Sequence, residues 1–359
     1  MKENLKVGII GATGMVGQQL VRRLDGHPWF TISALAASSR SAGRRYSDLM
    51  QERWKMDTPL PESVMDAVVI DASDIEAVAA KVDFVFCAVD LGKDEILKLE
   101  EAYARAEIPV ISNNSANRWT PDVPMIIPEI NPEHSDVIKL QRRRLNTERG
   151  FIAVKPNCSI QSYVPALHAL KAFNPQKVIV SNYQAISGAG KRFSDWPEMV
   201  ENLIPHIGGE EAKSETEPLK IWGTLTDRGI EAAASPVISA QCYRVAVADG
   251  HTSSVAVQFE KKPEIQEILD VWAQYRGVPQ ELKLPSAPDP FLQYFNEPDR
   301  PQPKLDVNIS NGMAVALGRL RDDSIFDYKF TCLSHNTLRG AAGGSILTAE
   351  LLMKQGFLR

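Results

Sequence analysis

A chain of 359 residues with 44% hydrophobic and 24% charged residues has ordinary globular composition and length enough for two buried cores. Its formal net charge of −5 excludes the overall basic character on which nucleic-acid binding usually depends. Four scattered cysteines, Cys87, Cys158, Cys242 and Cys332, form no CxxC and have no histidine at metal-ligand spacing, so neither a disulfide framework nor a metal site is expected and a reducing compartment is.

Residues 1–6 carry no apolar signal core, and no stretch approaches the roughly 20 apolar residues that span a bilayer, which makes the cytoplasm the expected location. Residues 6–10, KVGII, form a short apolar run ended by Gly11-Ala12-Thr13-Gly14-Met15-Val16-Gly17. A helical period follows, with Val16, Leu20, Val21 and Leu24 on one side. Further apolar runs at 32–36, 68–70, 84–89 and 110–111 are separated by polar, helix-compatible stretches, notably 93–106. Strands alternating with helices predict an α/β domain with a parallel sheet covered on both faces.

The triplet Gly11-x-x-Gly14-x-x-Gly17, between a strand and a helix, fits a dinucleotide pyrophosphate. Glycines let the backbone approach the anion, and free N–H groups at the helix start favour its charge. A tight structural turn carries the same letters. The strand at 32–36 runs into Ala37-Ser38-Ser39-Arg40-Ser41, with no acid to meet a ribose 2′-hydroxyl. Hydroxyls and a guanidinium suit a 2′-phosphate, so NADP is expected rather than NAD. The run Arg142-Arg143-Arg144 reads as a solvated face, not a phosphate patch.

Near mid-chain stands Val154-Lys155-Pro156-Asn157-Cys158-Ser159. Ile160, Val164, Leu167, Leu170 and Phe173 recur at helical spacing behind the cysteine, with Pro165 kinking or restarting that helix. Cys158 is therefore expected at a helix N-terminus, where the dipole favours thiolate, although a buried apolar filler is the plainer reading. Beyond it the texture changes to longer alternating runs at 177–185, 243–247 and 254–259, which predict an α+β domain with an antiparallel or mixed sheet. The last two runs flank Ala248-Asp249-Gly250-His251, read as a hairpin connection. His251, in that turn, is the best placed of six histidines to exchange protons with a nucleophilic Cys158. Residues 279–303 are proline-rich, an arm or excursion. Residues 338–358 read as a helix with a broad apolar face built from Ala342, Ile346, Leu347, Ala349, Leu351 and Leu352.

With "GATGMVG", "SSRSAG", "NNSANRW", "VPMIIPEIN", "KPNCS", "YQAISGAG", "RVAVADGHT" and "NTLRGAA" in order, the whole chain resembles the aspartate-β-semialdehyde dehydrogenases, in the branch with a late proline-rich segment, here "DRPQPKLD". The resemblance implies a Rossmann-type domain (residues 1–156 plus 336–359) and a glyceraldehyde-3-phosphate dehydrogenase-like catalytic and dimerisation domain (157–335). It implies reduction of β-aspartyl phosphate by NADPH, with Cys158 acylated, His251 as acid/base and Gln184 orienting the acyl group. Arg244 would bind the α-carboxylate, Glu210 or Glu211 the α-amino group, and Lys213, Arg118 and Asn157 the phosphate. Gly11, Thr13, Gly14, Met15, Val16, Gly17, Ser38, Ser39, Arg40, Ser41, Ser187, Gly188 and Asn336 would contact the cofactor. A homodimer or homotetramer is implied too.

Plain readings stand beside these. Lys213 and Glu210 could be an (i, i+3) surface pair, Arg118 could stack on Trp119, Arg244 could pair across a sheet, and Asn157 could be a helix cap. A malonyl-CoA reductase of similar architecture, an N-acetyl-γ-glutamyl-phosphate reductase and a non-catalytic nucleotide sensor are the rival functions.

Overall fold

The computed structural model describes residues 4–358; residues 1–3 and 359, at the outer ends of the expected cofactor domain, lie outside the described residues. Six parallel strands form the first sheet: β1 (Leu5–Ile10), β2 (Phe30–Ala37), β3 (Ile70–Asp71), β4 (Phe84–Cys87), β5 (Val110–Ser112) and β6 (Ile152–Val154). Their order, β3-β2-β1-β4-β5-β6, is that of a doubly wound dinucleotide fold, with its switch point between β1 and β4. Val7, Ile9, Val85, Phe86, Val110 and Ile111 are all fully buried, as a strand covered on both faces requires. The expected strand at 68–70 shrinks to Ile70–Asp71, while Val68 makes only an isolated bridge to Arg45.

The closing helix, Ala342–Lys354, is more deeply placed than its apolar face predicts. Ala342 through Met353 are buried without a break, because the helix lies against Met15–Leu24 and β5. The arginine run lies on the helix Ile138–Leu145 with Arg143 and Arg144 exposed, but Arg142 is half-buried over the rings of Phe151 and Phe357.

The second half contains β7 (Pro175–Gln184), β8 (Leu203–Ile204), a small pair β9 (Thr224–Thr226) and β10 (Gly229–Glu231), then β11 (Val237–Val245), β12 (His251–Phe259), β13 (Leu292–Phe295), β14 (Val315–Asp322) and β15 (Tyr328–Ser334). Seven of them form a mixed sheet in the order β13-β14-β15-β12-β7-β11-β8. The expected hairpin is absent: β11 and β12 do not pair, because β7 lies between them, parallel to β11 and antiparallel to β12. The connection instead crosses the end of β7, where the Ile186 and Ser187 amides donate to the Val247 and Ala248 carbonyls at 2.9 and 3.2 Å.

The proline-rich stretch is an excursion between the two halves. Leu284 is buried in the core of the first sheet, and β13 then joins the edge of the second, parallel to β14.

Candidate active site

Two of the three loop glycines are forced by packing. Gly11 has a φ of +91°, and a Cβ there would stand 2.3 Å from the Ala88 carbonyl oxygen. A Cβ at Gly17 would stand 2.2 Å from the Gly11 oxygen. At Gly14, the N-cap of the helix Met15–Leu24, the nearest such neighbour is 3.6 Å away, so the bare backbone faces open space. That is a cradle for an anion at a helix start. Ser38, Ser39 and Arg40 are exposed at the carboxyl end of β2, and the Ser41 amide closes the turn onto the Ser38 carbonyl at 2.8 Å. Asp71, in register with Ala37, is the carboxylate beside this turn, and its Oδ1 already accepts from the Ser73 amide and hydroxyl. A cleft of about 620 Å³ runs from Met15 and Gln19 to Ile186, Ser187 and Asp249 of the second half.

Cys158 follows β6, which ends at Val154. Its sulfur lies 3.4 Å from His251 Nε2. Unlike Cys87, Cys242 and Cys332, which are buried, Cys158 is partly open to solvent. Directly behind it the expected helix is reduced to a turn, and the restart expected at Pro165 is present. Ser159–Gln161 is one 3-10 turn, and a separate helix, Val164–Ala169, carries Pro165 in its first turn. Asn157 Oδ1 accepts from the Ser159 amide at 2.8 Å and hydroxyl at 2.6 Å, which favours the tight turn over a continuous helix. Three residues build little dipole, so the expected thiolate is not the resting form. Burial and the charge of Glu210 push the thiol up to about 11 against the pull of Lys155, Arg118 and Arg244.

His251 does not sit in a turn but opens β12, fully buried. The Ala185 amide donates to its Nδ1 at 3.1 Å, which leaves the single proton of the neutral ring on Nε2, facing the sulfur. Burial and the neighbouring Arg244 hold its pKa down to about 3. At rest the pair is thus thiol and neutral imidazole.

Around this pair the crossing at the end of β7 gathers side chains from distant segments. Arg244 Nη1 donates to the Ala185 carbonyl at 2.7 Å, and the residue is 6% exposed, with no carboxylate in ion-pair contact among the described residues. Gly188 leaves room for both: a Cβ there would lie 2.8 Å from Arg244 Nη1 and 3.0 Å from His251 Cε1. Glu210, first residue of the helix Glu210–Ile221, accepts from Asn157 Nδ2 at 3.0 Å, Gln184 Nε2 at 3.1 Å and Lys213 Nζ at 2.8 Å. Burial raises its pKa, but Lys213, Gln184 and Asn157 outweigh burial and hold it below the usual value. Glu211 turns the other way, accepting from the Cys242 amide at 3.3 Å.

Arg118 neither stacks on Trp119 nor stands free. It is buried and donates to Glu217 Oε1 at 2.8 Å and the Lys155 carbonyl at 3.0 Å. Asn336 spends both ends on protein, accepting from the Gly250 amide at 2.8 Å and donating to Ser187 Oγ at 2.9 Å. Cys158, His251, Gln184, Arg244, Glu210, Lys213, Asn157 and Gly188 are therefore brought together. Met15 and Ser187 line the cleft, Asn336 stands behind it on Ser187, and Ser38–Ser41 stand apart at the end of β2. Three participants escaped sequence reasoning: the Ala185 backbone, Lys155 and Glu217. Glu217 also receives the Asn157 amide at 2.6 Å. Its spacing of seven from Glu210 marks the same helix face and could have found it.

Comparison with known proteins agrees with this geometry. The family "Semialdehyde dehydrogenase, NAD binding domain" matches residues 6–138, and "Semialdehyde dehydrogenase, dimerisation domain" matches residues 165–339. Aspartate-semialdehyde dehydrogenase of Methanothermobacter thermautotrophicus is 44% identical over 97% of this chain and 99% of its own, and that of Schizosaccharomyces pombe 42% identical over 98% and 99%. The crystal structure of aspartate semialdehyde dehydrogenase with NADP from Candida albicans superposes with a TM-score of 0.88, at 36% identity over 99% of both chains. With a cysteine–histidine pair, a glycine cradle and likeness over nearly its whole length, the chain belongs to the aspartate-semialdehyde dehydrogenase family.

Proposed function

We propose that this protein reduces β-aspartyl phosphate to aspartate β-semialdehyde and phosphate through a thioester on Cys158, in the biosynthesis of lysine, threonine and methionine. The observation that carries the reading is the 3.4 Å contact of Cys158 with His251, flanked by Arg244 and Glu210. A guanidinium and a carboxylate on either side of the nucleophile match the carboxylate and ammonium of an α-amino acid. The NADP-bound relative supports NADP as cofactor, with Gly14 and its neighbours at the pyrophosphate and Ser38–Ser41 at the 2′-phosphate.

Attack of Cys158 on the acyl carbon forms the thioester and breaks the bond to phosphate, which leaves with the thiol proton. Lys213, a third of whose side chain is open to solvent, is the freer cation for that phosphate; Arg118, held by Glu217, contributes charge from beneath. Bound NADPH supplies the hydride. The Nε2–H of His251 hydrogen-bonds the carbonyl oxygen as that carbon becomes tetrahedral and stabilises the oxyanion, which re-forms the carbonyl as the C–S bond breaks. The net proton for the departing sulfur comes from solvent. The resting tautomer, with its proton on Nε2, suits this hydrogen bond. Gln184 and Asn157 hold Glu210 toward the substrate amino group.

The assay that tests this is phosphate-dependent reduction of NADP by aspartate β-semialdehyde. Activity that requires coenzyme A in place of phosphate would support a malonyl-CoA reductase. A trapped acyl group mapped to any residue but Cys158 would overturn the mechanism. Domain limits of 1–156 plus 336–359 and 157–335 are part of the proposal. So is a homodimer or homotetramer, supported by the matched dimerisation domain and by the outer face of the second sheet, where Ile179 and Val237 are exposed and Tyr183 stacks on Tyr243. No helix among the described residues is long and apolar enough to cross a membrane, and with four free cysteines we place the protein in the cytoplasm.

A further inference from the structure

The helix Glu210–Ile221 carries Glu210, Lys213, Glu217 and Lys220 at intervals of three, four and three residues, which puts four charged side chains on one face. The first two are the substrate groups described above. The last two are buried, 1% and 2% exposed, and both turn to the segment that carries Arg118. Glu217 Oε1 accepts from Arg118 Nη1 at 2.8 Å, and its Oε2 accepts from the Asn157 amide at 2.6 Å. Lys220 Nζ donates to the carbonyls of Arg118, Thr120 and Val123 at 2.7, 2.9 and 3.0 Å, which uses all three donors of an ammonium.

Arg118 is thereby held at three points. Lys220 fixes its backbone, Glu217 takes Nη1, and the Lys155 carbonyl takes Nε at 3.0 Å. Among the described residues Nη2 makes only a long contact, 3.4 Å to the Asn113 carbonyl. The helix in turn is fastened to the nucleophile's segment. Pro218 offers no amide to the Ser214 carbonyl one turn back, and Tyr163 Oη donates to that carbonyl instead at 2.6 Å, while Ser214 Oγ lies 3.2 Å from Ser159 Oγ.

We propose that Glu217 is a positioning residue for the phosphate group: it sets the plane of the Arg118 guanidinium so that Nη2 is left for the acyl phosphate, and it registers that guanidinium against the turn that carries Cys158. The inference rests on Arg118 being a phosphate ligand in the reaction proposed above. A buried ion pair adds little stability over apolar side chains of the same volume; what this one supplies is direction. A carboxylate on a phosphate-binding arginine has two opposed effects, since its charge weakens the pull on phosphate while its grip aims the donor. The grip outweighs the charge, because a guanidinium released from Glu217 loses the contact that fixes its plane, and a displacement of about 1 Å at a reacting group can cost 10²-fold.

The test is phosphate-dependent reduction of NADP by aspartate β-semialdehyde, with KM measured for inorganic phosphate and for the semialdehyde in wild type, Glu217→Gln and Glu217→Asp. The amide has one acceptor oxygen for two donors, and the shorter carboxylate keeps the charge but cannot reach both. Each variant should raise the KM for phosphate about tenfold, the size of one hydrogen bond to a charged group, with the KM for the semialdehyde nearly unchanged. In an Arg118→Gln background, Glu217→Gln should raise the phosphate KM no further, a coupling that support of the fold alone would not produce. Glu217→Asp decides the matter if Glu217→Gln fails to fold. A phosphate KM that is unchanged or falls, that rises only in step with that for the semialdehyde, or that rises further in the Arg118→Gln background overturns the proposal. Wild-type protein that reduces NADP without phosphate is a different result, because it overturns the assigned reaction and the role of Glu217 with it.

Discussion

At the scale of single residues, contact geometry separates groups that the sequence leaves equivalent. Glu210 and Glu211 are adjacent acids, yet only Glu210 meets Asn157, Gln184 and Lys213. Glu210→Gln should therefore raise KM for the semialdehyde severalfold or more, while Glu211→Gln leaves it unchanged; steady-state kinetics on both variants checks this. His251→Ala should slow turnover by about 10²–10³-fold with NADP binding nearly intact, the size expected for a lost oxyanion donor. Gly188→Ala drives a methyl group toward Arg244 and His251, and a displacement of this kind costs roughly 10²-fold in turnover. Its circular dichroism should stay native. Wild-type turnover would mean that the turn yields without moving either side chain.

At the scale of elements, the decisive feature is that β7 runs between β11 and β12. The period-two runs were legible as strands, but their partners were not, because alternation specifies which face is buried and not which neighbour is paired. The adjacency of two strands around a Gly-containing connection looked like a hairpin. What prevents one is that both faces of the pairing problem are solved by the ten-residue β7 instead. The same crossing carries His251 out of a turn and onto a strand beside Ala185. Asn336 ties the Ser187 turn to Gly250 from a third segment. Asn336→Ala should release both, raising KM for NADPH and lowering turnover together. An unchanged pair of constants would show that the backbone crossing holds the site alone.

For the whole molecule, charge burial sets stability. Glu129 and Arg339 are both 0% exposed and pair at 2.6 Å, linking the segment after β5 to the one before the closing helix. Glu129→Gln strands a buried guanidinium and should cost about 3–5 kcal/mol in urea unfolding. Three histidines are held neutral chiefly by burial, His251 at about 3 and His168 and His335 at about 4, against an ordinary 6.5. Above that ordinary value both folded and unfolded chains leave these rings neutral, and they contribute no pH dependence. As pH falls below it the unfolded chain takes up protons that the folded one refuses, so stability declines by up to about 1.4 kcal/mol per pH unit for each ring. Urea titrations between neutral and mildly acid pH should show this slope, and a flat profile would mean that the rings are protonated in the fold.

The sequence alone determined the dinucleotide half, because a glycine loop between an apolar strand and an amphipathic helix is a local pattern and a parallel sheet follows from local alternation. Motifs further along also marked Cys158, His251, Arg244 and Gln184 for the site. Only the tertiary structure decided the charge state and the supporting cast. The short turn at Cys158, the buried ring of His251, and the meeting of Asn157 with Glu210 and Glu217 depend on desolvation and on contacts between segments some fifty to ninety residues apart. No window of sequence contains either term.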